Sequence, residues 1–341
     1  MVELGGDAAS ETTVRAESRR LMVEHEVTGA GEYKTESFVV NVRTPAIAGG
    51  DRVRLKPREI GALDWDGKLT LEFSGDHPSV RRIEVEAITN VPTVYLAGDS
   101  TVVDQDKEPW AAWGQMLPRF FGPKVAIANH AESGETIRSF ETEKRWEKIF
   151  STIKAGDYLM LQFAHNDQKP GRGYVPAETE YTELIERYVA KAKAVGAHPI
   201  LVTSMNRRSF DDAGKIIDTL APYPQTLRKI AAEQELPLVD LNAMSKVMWE
   251  AMGPEGTLKA FVHYPANTFP GQTMDLADNT HFNSYGAYEL ALCVVQSLRD
   301  QKSRLVTWMR PGIARFDPAH PQQPFTLPLS PMVDTTTPYG R

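Results

Sequence analysis

The first part of the chain alternates apolar and polar residues with a period of two. Such alternation predicts short, half-buried β-strands, and Gly, Pro and Asp residues separate them as turns. The predicted strands are residues 21–27, 37–42, 52–55, 68–73 and 82–87. This spacing indicates a small antiparallel β-sandwich, in which the polar residues 1–16 are expected to fray. Because the sandwich is too small to bury a large core alone, we expect it to pack on the rest of the chain.

After Val91-Pro92 the pattern changes to continuously apolar runs that alternate with helical segments. The runs predicted to be strands are residues 93–97, 125–128, 158–164, 199–203 and 237–241. Residues 178–195 carry an apolar stripe with three- and four-residue spacing, which predicts an amphipathic helix. The segment after the N-cap pair Asn283-Ser284 is apolar nearly all round, which predicts a buried helix. Apolar strands alternating with helices indicate a parallel sheet covered on both faces.

With 341 residues, the chain is long enough for more than one domain. We expect residues 1–90 to form the β-sandwich, as an accessory domain. Residues 91–305 are expected to form the α/β domain. The Pro-rich residues 306–341 are expected to pack back on the β domain through their few large apolar side chains.

Composition narrows the classes of partner. The chain has 38 Lys and Arg against 45 Asp and Glu, a net charge of −7, which disfavours a nucleic-acid partner. The apolar runs are too short to span a membrane. No His or Cys residues have metal-ligand spacing, so we expect no metal and no cofactor. The single cysteine, Cys293, lies in an apolar run and is expected in the core. Residues 1–30 lack the pattern of a signal peptide.

The chemistry-bearing residues follow the predicted strands. Ser100 comes directly after residues 93–97 and Gly98-Asp99, at the carboxyl edge where open α/β sheets bind ligands. A serine there either caps a turn or acts as a nucleophile, which needs a base, an orienting group and oxyanion donors. Gly134 and Asn166 follow the next two strands, and Asp278 stands three residues before His281. This ordered set favours the nucleophile over the turn residue.

The motifs resemble those of a known family. Gly98-Asp-Ser-Thr101, Ala164-His-Asn-Asp167 and Asp278-Asn-Thr-His-Phe-Asn283 are similar to blocks of the rhamnogalacturonan acetylesterase branch of the SGNH, or GDSL-type, hydrolases. The resemblance covers residues 91–299. It implies a flavodoxin-like three-layer α/β/α domain with a five-stranded parallel sheet, beside the smaller antiparallel β-sandwich.

The resemblance also implies an activity and its residues. It implies a secreted or periplasmic serine esterase that removes acetyl groups from a plant cell-wall polysaccharide, above all rhamnogalacturonan. Ser100 is implied as the nucleophile, His281 as the base and Asp278 as the group that orients it. The N–H groups of Ser100 and Gly134 and the Asn166 side chain are implied as the oxyanion hole. The alternatives are an esterase for acetylxylan or another acyl ester, and a catalytically inactive carbohydrate-binding protein.

Two positions depart from the family pattern. Ala164 stands where the family usually has Gly, so its methyl group either crowds the turn or fills a gap. Asn279 stands where close relatives often have Gly, and asparagine tolerates the left-handed conformation that such a position can require.

Several residues near the predicted site remain open between two roles. Trp110 and Trp113 either stack on sugar rings or pack the following helix. His165, Arg207 and Arg208 are further substrate-binding candidates, and the arginines suit a uronate carboxylate as well as they suit a solvated loop. The acidic residues 104–108 are expected to be a solvated turn. Asp99 and Asp167 are expected to accept loop N–H groups.

Overall fold

Six short strands form two antiparallel sheets at the start of the chain, in a computed structural model that describes residues 1–338. The first sheet has the order β4-β1-β6 and the second β3-β2-β5. The predicted antiparallel β domain is thereby confirmed. The strands are β1 (Val2–Leu4), β2 (Ser10–Ala16), β3 (Arg20–Thr28), β4 (Lys34–Glu36), β5 (Leu71–Ser74) and β6 (Val80–Ile83).

The strand positions in this domain were only partly predicted. Residues 1–16 do not fray; they form β1 and β2, because Thr12 and Thr13 are buried and their hydroxyls accept backbone N–H groups. The strands predicted at residues 37–42 and 52–55 are wrong, apart from one isolated bridge at Arg52. Phe38 and Val40 pack against the β-domain core without strand pairing, whereas the Arg54 N–H donates to the Glu143 carbonyl of the α/β domain.

Ionic contacts join the β domain to the rest of the chain. The β domain has only a small apolar core of its own, around Leu4, Val14 and Met22. Arg19 binds Glu108, and Arg20 binds Asp104, with all four side chains almost completely buried.

A five-stranded parallel sheet lies at the centre of the larger domain. Its strands are β7 (Thr93–Gly98), β8 (Ala126–Asn129), β9 (Tyr158–Gln162), β10 (His198–Val202) and β11 (Leu238–Val239), as predicted to within a few residues. The spatial order is β11-β10-β9-β7-β8, and every neighbouring pair is parallel. This is the flavodoxin-like order, so the predicted sheet is confirmed. The order reverses between β7 and β9, which opens a crevice beside the end of β7.

Helices cover both faces of this sheet. Val94 and Leu96 face one apolar core, which α1, α6 and α7 share, whereas Tyr95 and Ala97 face a second core with α2, α3, α4 and α5. The alternation follows from the two-residue period of a strand, and it gives the predicted three layers. The helices are α1 (Trp113–Met116), α2 (Ile137–Thr142), α3 (Arg145–Phe150), α4 (Thr182–Ala194), α5 (Tyr223–Glu233), α6 (Leu241–Thr257) and α7 (Ser284–Asp300).

The last helix is positioned by its N-terminal cap. The Asn283 side chain accepts the Gly286 N–H at 3.1 Å, which satisfies one of the free donors of the first turn of α7. Just before it, β12 (Phe261–Tyr264) and β13 (Leu276–Phe282) form an antiparallel pair with a shift in register. β13 therefore ends beside the start of α7, close to the carboxyl edge of the parallel sheet.

The C-terminal segment crosses both domains. Phe316 and Leu327 join the apolar core on the α7 face, and Arg310 pairs with Glu36 of the β domain. Farther along, the Ser330 hydroxyl donates to Glu72 at 2.6 Å. The last three residues of the predicted segment, 339–341, lie outside the described part of the chain.

Candidate active site

Ser100 lies in a tight turn directly after β7. A Cβ atom at Gly98 would lie 2.6 Å from the Val102 side chain and 2.8 Å from the Gln162 carbonyl, so the turn requires glycine there. The Asp99 carbonyl accepts the Val102 N–H at 3.0 Å and closes the turn. Ser100 is therefore held at the carboxyl edge of the sheet, next to the crevice where the strand order reverses.

The Ser100 side chain contacts His281, which in turn contacts Asp278. Ser100 Oγ lies 2.9 Å from His281 Nε2, and His281 Nδ1 lies 2.9 Å from Asp278 Oδ2. All three residues are at most 1% exposed. The structure thus brings together three side chains that the sequence separates by up to 181 positions.

Asp278 is held as an ionised acceptor. Its Oδ1 accepts the N–H groups of Thr280 at 2.7 Å and His281 at 2.9 Å. Burial alone would raise its pKa, but the His281 ring and these two N–H groups outweigh it and lower the pKa to about 2. A carboxylate can only accept, so His281 Nδ1 carries the proton and Nε2 is left to accept the Ser100 hydroxyl. These residues lie in the irregular strand β13.

Two loops flank Ser100, because β8 and β9 are the two neighbours of β7. Gly134 lies in the loop after β8, with a φ of 79° that favours glycine. Asn166 lies in the loop after β9, and its Nδ2 donates to the Glu135 carbonyl at 3.0 Å. Lys169 donates to Asn166 Oδ1 at 3.0 Å, which fixes which end of the amide carries the N–H groups. An amide nitrogen has two N–H groups, so one bond to Glu135 leaves a second donor at this site.

The β domain holds the loop that carries Gly134. The Ser133 carbonyl accepts from Lys56 Nζ at 2.9 Å and also from the Arg58 guanidinium. In a trans peptide the C=O and the following N–H point in opposite directions. Because two cations hold the Ser133 carbonyl, the Gly134 N–H is turned away from the β domain.

The same loop is anchored by a buried ionic cluster. Glu135 is completely buried and pairs with Lys56 and, at 3.7 Å, with Arg145. Arg145 also donates to Glu59 of the β domain at 3.0 Å. Removing either sign of charge would leave an uncompensated buried ion.

Ala164 carries backbone strain at the start of the loop after β9. Its φ is 154°, in a region that favours glycine, and the residue is buried. This conformation accounts for the glycine of the family pattern. The methyl group of Ala164 is accommodated here, and Asn166 still reaches Glu135.

The two tryptophans take the packing role that the sequence left open. Trp113 is 0% exposed, and its Nε1 donates to Gln162 Oε1 at 2.8 Å, so no sugar can stack on it. Trp110 is 2% exposed and stands edge-on to His281, with ring centroids 5.9 Å apart. Its Nε1 donates to the Asp334 carbonyl at 3.0 Å. Of the two open alternatives, the structure favours packing for Trp113, and Trp110 packs against the His281 ring.

The His165 side chain is buried inside the protein. It is completely buried, and burial followed by the nearby charge of Arg207 lowers its pKa well below its usual value, so the ring is neutral. Among the described residues, neither ring nitrogen has a side-chain or backbone partner within hydrogen-bonding geometry. Ser100 is equally buried, so the prediction that His165 contacts substrate stays a prediction.

The basic candidates separate into two groups. Arg207 donates to the His165 carbonyl at 3.2 Å, and Asp99 and Asp278 are close enough to interact with its charge. Arg208 instead donates to the Pro254 carbonyl at 2.7 Å and to Asn279, beside the end of α6. Arg207 thus lies near Ser100, whereas Arg208 is taken up by contacts that stabilise a neighbouring loop.

Asp99 and Asp167 accept loop N–H groups, as expected. Asp99 accepts the N–H and hydroxyl of Thr101 at 2.9 and 2.8 Å, and Asp167 accepts the Ile137 N–H at 2.8 Å. Burial raises the pKa of Asp167 to about 8, so this carboxyl is largely protonated at neutral pH.

The acidic turn after Ser100 is half-exposed at Asp106 and Lys107 and buried elsewhere, which corrects the expectation of a solvated turn for Asp104, Gln105 and Glu108. Asp104 and Glu108 are buried against Arg20 and Arg19 of the β domain. Sequence reasoning therefore missed Gln105, whose Nε2 donates to the Ser100 carbonyl at 2.9 Å, and it missed Lys56 and Arg58. The available signal was a run of basic residues in one domain and a run of acidic residues in the other. Such runs do not indicate which residues form ion pairs.

The described residues contain neither a metal-binding cluster nor a membrane-spanning helix. Within residues 1–338, no three His, Cys, Asp or Glu side chains are grouped so that they could hold a metal ion. In the same residues, no helix combines the length and the apolar character that crossing a membrane demands.

The sequence is similar to named esterases over more than half of the chain. It is 42% identical over 209 residues to rhamnogalacturonan acetylesterase RhgT of Bacillus subtilis, covering 61% of this chain and 89% of that protein. It is 30% identical over 211 residues to the probable rhamnogalacturonan acetylesterase YesY of the same organism, covering 61% of this chain and 92% of that protein.

The fold has a counterpart that reaches into the β domain. The crystal structure of protein YxiM from Bacillus subtilis matches with a TM-score of 0.55 and 28% identity, covering 89% of this chain and 77% of that one. The α/β domain and the C-terminal segment alone could not supply that coverage. The likeness therefore extends into the N-terminal sheets.

The family match covers the residues that build the site. The sequence profile of the GDSL-like lipase/acylhydrolase family matches residues 96–287, which run from the end of β7 through Ser100 and His281 to the start of α7. This stretch is more than half of the chain. The protein therefore belongs to the GDSL-like lipase/acylhydrolase family and is a carboxylic ester hydrolase.

Proposed function

We propose that this protein is a serine acetylesterase that removes O-acetyl groups from a plant cell-wall polysaccharide, above all rhamnogalacturonan. The observation that carries the mechanism is the hydrogen-bonded series Ser100–His281–Asp278, with 2.9 Å between each pair. Two relatives, at 42% and 30% identity, are named as an established and a probable rhamnogalacturonan acetylesterase, which supports this substrate. Because the polymer lies outside cells, the proposal includes a secreted or periplasmic place of action.

In the first step, the Ser100 oxygen attacks the acetyl carbonyl while His281 Nε2 takes the hydroxyl proton. The imidazolium that forms lies against the Asp278 carboxylate, which stays ionised because its pKa is about 2. The carbonyl oxygen of the tetrahedral intermediate becomes negative. The N–H groups of Ser100 and Gly134 and the Asn166 amide are the proposed donors to it.

The intermediate then collapses. His281 returns the proton to the sugar oxygen, the C–O bond to the sugar breaks, and the acetyl group remains on Ser100. In the second half-reaction, His281 takes a proton from water, and the resulting attack releases acetate and restores the Ser100 hydroxyl. Loss of one oxyanion donor in such a site costs about 10²–10³ in kcat.

The Ser100→Ala variant tests the proposal directly. We expect acetate release from acetylated rhamnogalacturonan to fall by about 10⁴-fold or more, because the nucleophile is gone. The thermal unfolding curve should stay close to that of the unaltered protein, since only one oxygen atom is removed. Full activity in this variant would refute the serine mechanism, and no activity in the unaltered protein would favour a non-catalytic binding protein.

Substrate identity needs a separate panel. Rates of acetate release from acetylated rhamnogalacturonan, acetylxylan and an aryl acetate would be compared at equal acetyl concentration. We expect the highest kcat/KM for rhamnogalacturonan. A clear preference for acetylxylan would keep the mechanism and replace the substrate.

Arg207 is the basic residue proposed to face a uronate carboxylate. It lies near Asp99 and Asp278, whereas Arg208 is occupied beside α6. We expect Arg207→Ala to lower kcat/KM for acetylated rhamnogalacturonan more than for a neutral aryl acetate, and Arg208→Ala to lower neither selectively. An equal effect of Arg207→Ala on both substrates would remove this role.

A further inference from the structure

A cavity of about 350 Å³ lies where the segment between β4 and β5 meets α3. Its wall is formed by residues 41–44 and Gly67 on the β-domain side, and by Tyr95, His130, Lys148 and Thr152 on the α/β side. We call it the basic cavity. Its volume falls within the roughly 300–1,000 Å³ of small-molecule sites. The catalytic series Ser100–His281–Asp278 does not line it, so the basic cavity is separate from the active site.

Two buried cations, Arg43 and Lys148, lie in the wall of the basic cavity. Each is 8% exposed, and among residues 1–338 neither forms an ion pair. Within the same residues, no Asp or Glu lines the cavity. The charges of Asp64 and Asp104 act on Arg43, but both carboxylates bind Arg20. Because a buried charge is costly without a counterion, this wall is suited to an anion.

Both cations have hydrogen-bond donors to spare. Arg43 Nη2 donates to the Asn129 carbonyl at 2.6 Å, and the guanidinium lies 4.4 Å from the centre of the Trp65 ring. These contacts fix the group, but its Nε and Nη1 have no hydrogen-bonding partner among residues 1–338. Lys148 Nζ donates to the Ala46 carbonyl at 2.6 Å, which uses one of its three N–H groups. The unused N–H groups can donate to the oxygens of an anion, and hydrogen bonds between charged groups are the strong ones.

A neutral histidine completes the wall. Burial, followed by the charges of Arg43 and Lys148, lowers the pKa of His130 well below its usual value, so the ring is uncharged. Its Nδ1 has no hydrogen-bonding partner in the described part of the chain. Tyr95 adds a hydroxyl group. The two charges that keep the histidine neutral would also repel a cationic ligand, so the basic cavity discriminates in favour of anions.

We propose that the basic cavity binds a small oxyanion, whose oxygens accept hydrogen bonds from Arg43 and Lys148. The recognised chemistry is a negative charge spread over several oxygens, which either free phosphate or the carboxylate of an acidic sugar supplies. The site goes beyond the proposed function and does not depend on it. Because Arg43 lies between β4 and β5 and Lys148 lies in α3, a bound oxyanion would connect the two domains.

Direct binding measurements on the full chain test the site. Binding of radiolabelled phosphate and, separately, of radiolabelled D-galacturonate is measured by equilibrium dialysis at constant ionic strength. Lys148→Gln removes one of the two charges, and Thr44→Glu places a carboxylate at the exposed rim of the cavity. Thermal unfolding curves check that each variant is folded.

Each variant has a matched control. Lys154 also donates to a backbone carbonyl, that of Thr89 at 2.9 Å, but it is exposed and lies outside the cavity. Lys154→Gln therefore removes a similar contact without touching the proposed site. Thr44→Gln has nearly the size of Thr44→Glu and lacks its charge, so this pair separates charge from bulk.

We expect one saturable site per chain for at least one probe, with a Kd of about 1 mM or lower, the range for two hydrogen bonds to charged groups. Lys148→Gln should weaken binding at least about ten-fold, because one such hydrogen bond and one charge are lost. Thr44→Glu should weaken it by a similar factor, through repulsion. Both controls should change the Kd by less than about three-fold.

The two probes identify the source of the oxyanion. Binding of phosphate alone assigns the cavity to a free inorganic oxyanion, whereas binding of galacturonate, but not of uncharged galactose, assigns it to an acidic sugar. No saturable binding of either probe up to about 10 mM overturns the proposal. Binding that is undiminished in Lys148→Gln and Thr44→Glu overturns it too, because the anion then binds elsewhere. If Lys148→Gln does not fold, the comparison of Thr44→Glu with Thr44→Gln decides.

Discussion

The parallel sheet and the β domain are attached to the same active-site loops by different forces. The two faces of the sheet bury apolar side chains of α1–α7, such as Trp113 and Trp249. The contact with the β domain instead buries ion pairs, including Arg20 with Asp104 and Arg145 with Glu59. Apolar burial is non-directional, whereas a buried ion needs a particular partner in a particular place.

The two domains contribute different parts of the active site. The α/β domain supplies Ser100, His281 and Asp278, whose relative positions follow from strand order and from α7. The β domain supplies Lys56 and Arg58, which contact the loop beside Gly134 without reaching Ser100. Substitutions of the catalytic residues should abolish the reaction. Substitutions of Lys56 or Arg58 should lower the rate or the stability of the fold.

The largest effect is expected in the α/β domain, from Asp278→Asn. The neutral amide no longer holds the His281 tautomer or stabilises the imidazolium, so kcat should fall by about 10⁴-fold. Asp317 and His320 have the same three-residue spacing and a 2.8 Å contact, but both are exposed. Asp317→Asn is therefore the matched control and should retain full kcat. Similar rates in both variants would contradict the assigned role.

The next largest effect is expected at the ionic contact, from Arg145→Met. This change leaves Glu59 and Glu135 buried without their common cation, so the free energy of unfolding should fall by about 3–5 kcal/mol. Arg187→Met breaks an exposed pair with Glu141 and should cost under about 1 kcal/mol. Urea unfolding of both variants measures the difference. Equal stabilities would show that the ionic contact contributes little.

A buried carboxyl group in the α/β domain predicts that the free energy of unfolding depends on pH. Glu289 of α7 is completely buried, and burial raises its pKa from 4.5 to about 7. Its contribution to stability is full below pH 4.5 and is lost as the pH rises through 7, because the unfolded chain ionises first. Glu289→Gln should remove this loss, roughly 3 kcal/mol by pH 8. Urea midpoints from pH 4.5 to 8 measure it, and a difference between the proteins that does not change with pH would contradict it.

A smaller effect is expected where the β domain meets the catalytic loop. Lys56→Met removes one of two donors to the Ser133 carbonyl, so Gly134 should be held less firmly and kcat should fall about ten-fold. KM should change little, and Lys56→Arg should restore part of kcat. Arg54→Met, at an exposed position two residues away, is the control. A loss in KM alone would show that Lys56 serves binding and not the loop.

The smallest effect is expected from Ala164→Gly. Strain at a φ of 154° costs about 1–3 kcal/mol, and glycine loses about 0.5–1 kcal/mol of chain entropy on folding. A net stabilisation of about 1 kcal/mol is therefore expected, measured by urea unfolding. A destabilised variant would show that the buried methyl group contributes more by packing than its backbone costs.

The sequence predicts the apolar α/β domain better than it predicts the ionic contact between the two domains. Apolar runs marked all five parallel strands, and the residues after three of them, Ser100, Gly134 and Asn166, flank one crevice because strand order brings those loops together. Asp278 and His281 were recognised from the family motif. The three-residue spacing alone could not identify them, because Asp317 and His320 have the same spacing.

The ionic contact could not be predicted from local pattern. Arg19, Arg20 and Arg145 are buried, although each has the sequence surroundings of a surface residue. Each has a partner in the other domain that stands 84 or more positions away, and only the assembled domains bring the two together. The same cause explains why Asp104 and Glu108 were expected in solvent.

The most direct measurement is the site of acylation during turnover. The protein is mixed with an aryl acetate, quenched in acid within the first turnovers and digested, and the peptides are examined by mass spectrometry. We predict one acetyl group on the peptide that contains Ser100, and none there in Ser100→Ala. An active enzyme that carries the acetyl group on another residue would contradict the account.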